Sequence, residues 1–211
     1  MAPTLADVIA RRIVPVVVVK DANTAAPLAE ALIAGNLPVA EVTFRTEAAP
    51  DAIRAMAKYP DLLVGAGTIL TVAQLEQAVD AGARFIVSPG LSVAVVLRAQ
   101  ELGIPIVPGA VTPTEIMTAR DLGLRTLKFF PASSFGGVAA IKDLASPFGG
   151  ISFIPTGGVS AGNLADYLGL PNVVAVGGSW MVKADLINDG DYAAITTLSA
   201  QAVKAAAAIE K

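Results

Sequence analysis

Neither cysteine nor histidine occurs among the 211 residues. The first absence excludes a disulfide framework, a thiolate nucleophile and any cysteine-held metal. The second removes the imidazole base and the ordinary zinc site. Catalysis, if there is any, falls to Lys, Glu, Asp, Tyr, Ser, Thr, Arg or a carboxylate-bound metal. Charge is scarce too, at 16% of residues, and the net charge of −3 on scattered side chains offers no nucleic-acid footprint. The longest apolar run, over 13–19, falls far short of the ~20 residues that a membrane helix needs. The opening MAPTLADVIARR lacks the basic start, apolar centre and cleavage site of a signal peptide, so a soluble, cytoplasmic protein is expected.

What the chain has in excess is apolar residues, 54% of the total. That exceeds the usual share in soluble domains and points to strands buried on both faces, as in parallel sheets covered by helices. The apolar residues come in short β-branched runs: IVPVVVV, PVAEVTF, LLVGAG, RFIVSPG, IPIVPG, RTLKFF, ISFIPTGG and VVAVGG. Their starts lie about 20 to 26 residues apart, the length of one strand plus one helix, and amphipathic segments fill the gaps. Thr112 to Glu115 and Thr71 to Gln74 read as capping boxes, while AGN at 34–36 and AGA at 81–83 read as glycine C-caps. Eight such units, with a short helix ahead of the first strand, predict a compact (β/α)8 TIM barrel forming one domain over 1–211. An open doubly wound sheet is the rival, but no GxGxxG follows the first strand; a solenoid would share more sequence between repeats.

Strand alternation then selects residues. On the second strand Val39, Glu41, Thr43 and Arg45 share one face, and the apolar Ala40, Val42 and Phe44 share the other. The apolar set should pack on helices, sending Glu41 and Arg45 inward. The same parity on the sixth strand sends Leu127 and Phe129 outward and Lys128 inward. One reading is a structural ion pair, or a lysine that snorkels to the rim. The other is chemical, because buried ionisable groups cluster at active sites. A dry interior favours a neutral, nucleophilic amine over an ammonium. Such an amine attacks a ketone to form a Schiff base, an electron sink for making or breaking a C–C bond. Glu41 is placed to move the protons, and Arg45 offers a two-pronged donor to a substrate carboxylate. Metal-dependent aldol chemistry fits poorly without histidine ligands.

Two glycine-rich turns follow the seventh and eighth strands, IPTGGVS at 154–160 and VGGSW at 176–180. Helices beginning near Ser160 and Ser179 would point their positive ends at an anion, at the two loops where many such barrels hold phosphate. Each turn alone could be an ordinary strand-to-helix connection, as VGAGT at 64–68 and SPG at 88–90 are when taken singly.

As a set, EVTFRT, VGAGTIL, FIVSPG, VPGAVTPTE, LKFFPA, PTGGVS and VGGSW resemble the 2-keto-3-deoxy-6-phosphogluconate (KDPG) aldolases and the related 4-hydroxy-2-oxoglutarate aldolases. The resemblance spans nearly the whole chain, with FRT in place of the more usual Leu-Arg-Thr. It implies a class I aldolase on a (β/α)8 barrel, usually trimeric, with a covalent imine and no cofactor or metal. It also implies that Lys128 forms the Schiff base and that Glu41 is the general acid/base. Arg45 and Thr68 would hold the pyruvate carboxylate, Pro89 and Phe130 would shape the pocket, and Gly157, Gly158, Gly178 and Ser179 would take the phosphate. Pyruvate and a phosphorylated aldehyde are the implied small-molecule partners. Cleavage of 4-hydroxy-2-oxoglutarate to pyruvate and glyoxylate is the close alternative. A phosphate-binding isomerase or decarboxylase is more distant, since it has no need of the lysine. A non-catalytic oligomeric scaffold, natural or engineered, is the third possibility. For that reading, and for a trimer, the relevant feature is the helix over 91–103. Its five consecutive apolar residues from Val93 to Leu97 exceed what one buried stripe requires.

Overall fold

The structure is a computed structural model that describes residues 4–210. Residues 1–3 and Lys211, which the one-domain expectation includes, lie outside the described residues. Helix α1 (Leu5–Ile9) leads into β1 (Ile13–Val17), followed by α2 (Ala25–Ala34), β2 (Val39–Thr43), α3 (Ala49–Met56) and β3 (Leu63–Gly67). Next come α4 (Val72–Asp80), β4 (Ile86–Val87), α5 (Val93–Glu101), β5 (Ile106–Val107) and α6 (Pro113–Asp121). The last stretch holds β6 (Thr126–Phe129), α7 (Gly137–Ala145), β7 (Ser152–Pro155), α8 (Leu164–Leu168), β8 (Val176–Gly178), α9 (Ala184–Asn188) and α10 (Tyr192–Ala207). Every strand falls within one of the eight β-branched runs.

All strand pairs are parallel. Six strands form one curled sheet in the order β5-β4-β3-β2-β1-β8, and β6 pairs with β7 apart from it. The seams carry only isolated bridges, Gly109 with Lys128 on one side and Phe153 with Val173 and Thr156 with Gly177 on the other. A continuous ladder over eight strands is therefore not what forms. Proline explains part of this: Pro105 and Pro108 flank β5, Pro89 follows β4 and Pro155 ends β7, and none has an N–H for a ladder.

The outward faces pack as parity requires. Ala40, Val42, Val64, Ala66, Leu127, Phe129 and Phe153 have no exposure, and Phe129 meets Phe153 edge to face at 5.8 Å. Among the described residues no helix is long and apolar enough to cross a membrane. Arg12, in a left-handed conformation (φ 61°), ties the base together. Its guanidinium donates to the carbonyls of Ala206 and Ile209 at the end of α10, and to that of Leu168 at the end of α8, over 2.7–3.0 Å.

The local punctuation matches the sequence in part. Thr112 and Glu115 form the full capping box at α6. At α4, Thr71 caps Gln74 N, but the Gln74 side chain accepts from Leu70 N at 2.8 Å, one residue earlier than a box requires. After α2 the left-handed residue is Asn36 (φ 55°) and not Gly35. Gly35 is needed for another reason: a Cβ there would lie 2.6 Å from Ser199 Cβ on α10.

Candidate active site

Glu41 is the third residue of β2 and Lys128 the third of β6. Their strand neighbours are fully buried against helices, so both side chains enter the interior. Lys128 Nζ donates to Glu41 Oε1 at 3.1 Å, with the two side chains only 6% and 3% exposed. At that separation a proton passes directly between amine and carboxylate. The Phe130 ring centre lies 5.2 Å from Nζ and offers its face to the positive charge.

Below the pair is a cavity of about 10 Å³, walled by Val8 of α1 together with Val14, Phe85, Val107, Ile154 and Thr156. It has room for about one water and no more. A substrate must therefore reach the lysine from the carboxyl ends of the strands. The other residues singled out in the sequence all lie there, each just after or at the end of its strand.

They do not all meet Lys128. Arg45 lies two residues beyond the end of β2, in a turn, and is exposed. Parity placed it inside, but parity lapses once the extended backbone ends at Thr43. Arg45 instead borders a depression of about 410 Å³ with Phe44, Thr46, Glu47, Gln74 and Gln77. Thr68 follows β3 with φ 60°, a left-handed conformation that a β-branched residue rarely takes. Pro89 is half-buried and lines a separate rim depression of about 270 Å³ with Ile69, Leu70 and Leu91.

Gly157 and Gly158 turn through left-handed conformations (φ 89° and 83°). The turn abuts the loop after β6: Ser133 N donates to Gly157 O at 3.1 Å, and a Cβ on Gly158 would fall 2.5 Å from Ser133 Cβ. The N–H groups of Gly158 and Ser179 donate no hydrogen bond within the described residues. Gly178 ends β8, and a Cβ there would strike the Trp180 ring at 2.0 Å. The helix starts differ from expectation. No helix begins at Ser160 or Ser179: α8 starts at Leu164 and α9 at Ala184. Asn163 intervenes, accepting from Ser160 N and donating to Gly158 O, both at 2.8 Å. This rim presents a pair of glycine turns and not helix ends.

A model of the KDPG and KHG aldolase family matches residues 6–198. The chain belongs to the KDPG and KHG aldolase family. It is 50% identical over 195 residues to the KHG/KDPG aldolase of Escherichia coli K12, covering 92% of each chain. To the 2-dehydro-3-deoxy-phosphogluconate aldolase of Dickeya dadantii it is 49% identical over 197 residues, or 93% of this chain and 92% of the other. Among solved structures, the KDPG aldolase of Legionella pneumophila, with pyruvate captured at low pH as a covalent carbinolamine intermediate, superposes with a TM-score of 0.92. It is 39% identical, and the match covers 96% of this chain and 99% of that one.

For an aldolase of this family, sequence reasoning passed over three residues at the site. Thr156 lines the cavity beside the pair and is buried. Its inward direction was available from the alternation of Ser152 and Ile154 on β7, continued one residue past the strand's end. Val8 gave no signal, because only the packing of α1 brings it there. Gly67, on β3, is invisible to a search for functional side chains because it has none.

Proposed function

We propose that this chain is a class I aldolase that reversibly cleaves 2-keto-3-deoxy-6-phosphogluconate to pyruvate and D-glyceraldehyde 3-phosphate through an imine on Lys128. The observation that carries the reading is the buried Lys128–Glu41 pair, a nucleophile and a proton carrier 3.1 Å apart in an otherwise apolar interior. The amine adds to the C2 carbonyl. Glu41, which took a proton from the Lys128 ammonium it pairs with, gives it to the departing hydroxyl, which leaves as water and yields the iminium. The Glu41 carboxylate takes the C4 hydroxyl proton and C3–C4 breaks: the aldehyde departs, and the electron pair of the bond moves into an enamine. Glu41 protonates C3, and water returns pyruvate and the free lysine. No step calls on a metal or other cofactor.

Thr68 and Arg45 hold the pyruvate carboxylate at the rim, with Arg45 swinging in from its exposed turn, while Pro89 and Phe130 bound the pocket. The phosphate rests on Gly157, Gly158, Gly178 and Ser179, a reading supported by the unused N–H groups of these turns. The family covers KHG as well as KDPG aldolases, so cleavage of 4-hydroxy-2-oxoglutarate to pyruvate and glyoxylate is the second reaction, run through the same imine. The whole chain, 1–211, works as one domain in which the isolated bridges at the two seams complete a closed (β/α)8 barrel. It acts in the cytoplasm as a homotrimer, with the exposed apolar side chains of α5 in support.

The test is capture of the imine. Protein incubated with pyruvate and reduced with borohydride should gain the mass of one reduced pyruvyl adduct, located on Lys128. No adduct, or an adduct on another lysine, ends the reading.

A further inference from the structure

Strand β3 approaches the Lys128–Glu41 pair without side chains. Its inward positions Gly65 and Gly67 stand in register with Glu41 and Thr43 of β2. A Cβ at Gly65 would meet the Phe85 ring at 2.5 Å, which is a matter of packing. A Cβ at Gly67 would lie 2.2 Å from Glu41 Oε1, 2.6 Å from its Cγ and 2.8 Å from its Cδ. The Glu41 side chain thus leans one inward position toward the carboxyl end, about 6–7 Å along the neighbouring strand, and rests on the bare Cα of Gly67. Oε1, the atom a methyl would strike first, is also the one that accepts from Lys128 Nζ.

The usual reasons for a strand glycine do not apply. Gly67 is absent from the residues with positive φ, so its backbone admits any L residue. Nor does the backbone have freedom to yield, because Gly67 O accepts from Phe44 N at 2.8 Å and the β2–β3 ladder runs through this position. Glu41 has no retreat downward either, since the cavity beneath the pair, at about 10 Å³, is smaller than a carboxylate. Whatever is added at Gly67 therefore displaces the carboxylate.

We propose that Gly67 is a positioning residue for Glu41: its missing side chain is the seat that holds Oε1 against the Lys128 amine. The proposal rests on the reading that Glu41 moves protons for an imine on Lys128, and it adds what sets the carboxylate's place. During imine formation the carboxylate takes a proton from the attacking nitrogen and delivers one to the hydroxyl that leaves as water. A carboxylate pushed off its seat loses reach to both.

Four chains test this: the unsubstituted protein, G67A, E41A and the double variant, each followed by borohydride capture of pyruvate and by kcat for keto-acid cleavage. G67A should lower kcat about 100-fold, the scale of an ångström-sized misplacement. E41A is slow in its own right, but it removes the Cγ, Cδ and Oε1 that the added methyl would strike. Adding G67A in that background should cost less than about threefold. If G67A fails to fold and the double variant folds, the obstruction is again the Glu41 side chain and the proposal stands. Equal losses in both backgrounds, undiminished turnover in G67A, or failure of both G67A chains to fold overturns it. If the unsubstituted chain gives no adduct at Lys128, the aldolase reading falls and this inference with it. An adduct at Lys128 together with equal losses removes the Gly67 assignment alone.

Discussion

Lys128 Nζ lies 3.1 Å from Glu41 Oε1 although 87 positions of chain separate the two residues. Both are buried, so each is the condition for the other's presence in the interior. This relationship has consequences for rate and for stability that can be measured separately.

In kinetics, E41Q keeps the shape of the side chain and removes its ability to carry a proton. Turnover should fall by about 10²–10⁴, while pyruvate binding, judged by the concentration dependence of borohydride capture, should change by only a few fold. Equal losses in kcat and in binding would make the carboxylate a structural counter-ion.

In stability, E41L leaves Lys128 without a partner in an apolar interior. Urea unfolding should register a loss of about 3–5 kcal/mol. The double variant K128M/E41L, with neither charge, should recover most of that loss while remaining inactive. If E41L and the double variant are equally destabilised, the cost is one of packing and not of an unpaired charge.

The eight strands and the inward direction of Glu41 and Lys128 were legible because they depend on local alternation, which the burial of Ala40, Val42, Leu127 and Phe129 enforces. Arg45 escaped the same reasoning because alternation holds only while the backbone is extended, and β2 ends at Thr43. The helix starts expected at Ser160 and Ser179 failed for a related reason. Asn163 satisfies the Ser160 N–H and delays α8, while a turn from Ser179 to Val182 delays α9. The seams beside β6 and β7 depend on which strands meet in space, and no local pattern carries that. Gly67 is a case of its own, since its contribution is a space whose only trace in sequence is the residue type.

Glu115 gives a pH dependence. Partial burial tends to raise its carboxyl, but hydrogen bonds from the N–H groups of Val111 and Thr112 and from the Thr112 hydroxyl outweigh it. The group is held below its ordinary 4.5. A carboxyl lowered by folding contributes stability above its unfolded value, and that contribution is lost as pH falls through the folded value. E115A should therefore cost about 1 kcal/mol near neutrality, and the gap to the unsubstituted protein should close as pH drops below 4.5. A gap that stays constant into acid would mean that the cap works without the charge.

Arg12 fastens α10 and α8 to the start of β1. R12G is the informative substitution, because glycine takes the left-handed backbone at this position without strain and the change isolates the lost guanidinium. Three carbonyls lose a charged donor, so unfolding should show a loss of about 2–3 kcal/mol. Amide exchange should quicken most in the last turn of α10. A loss spread evenly over the molecule, or none, would show that the helix end is held by packing alone.

The outer face of α5 tests self-association. Val95, Val96 and Ala99 face the core, while Val93 and Leu97, one turn apart, are 45% and 46% exposed. Leu70 and Met117 are exposed further still, at 57% and 56%. Apolar side chains this open have no packing role within one chain, and burying them against further copies removes the cost of wetting them. The unsubstituted protein should therefore sediment as a trimer over a wide concentration range. V93D/L97D places two carboxylates on this face without touching the Lys128–Glu41 pair, and should yield a folded monomer. A variant that still sediments as a trimer assembles through some other face, and an unsubstituted protein that is monomeric throughout does not use this surface for self-association.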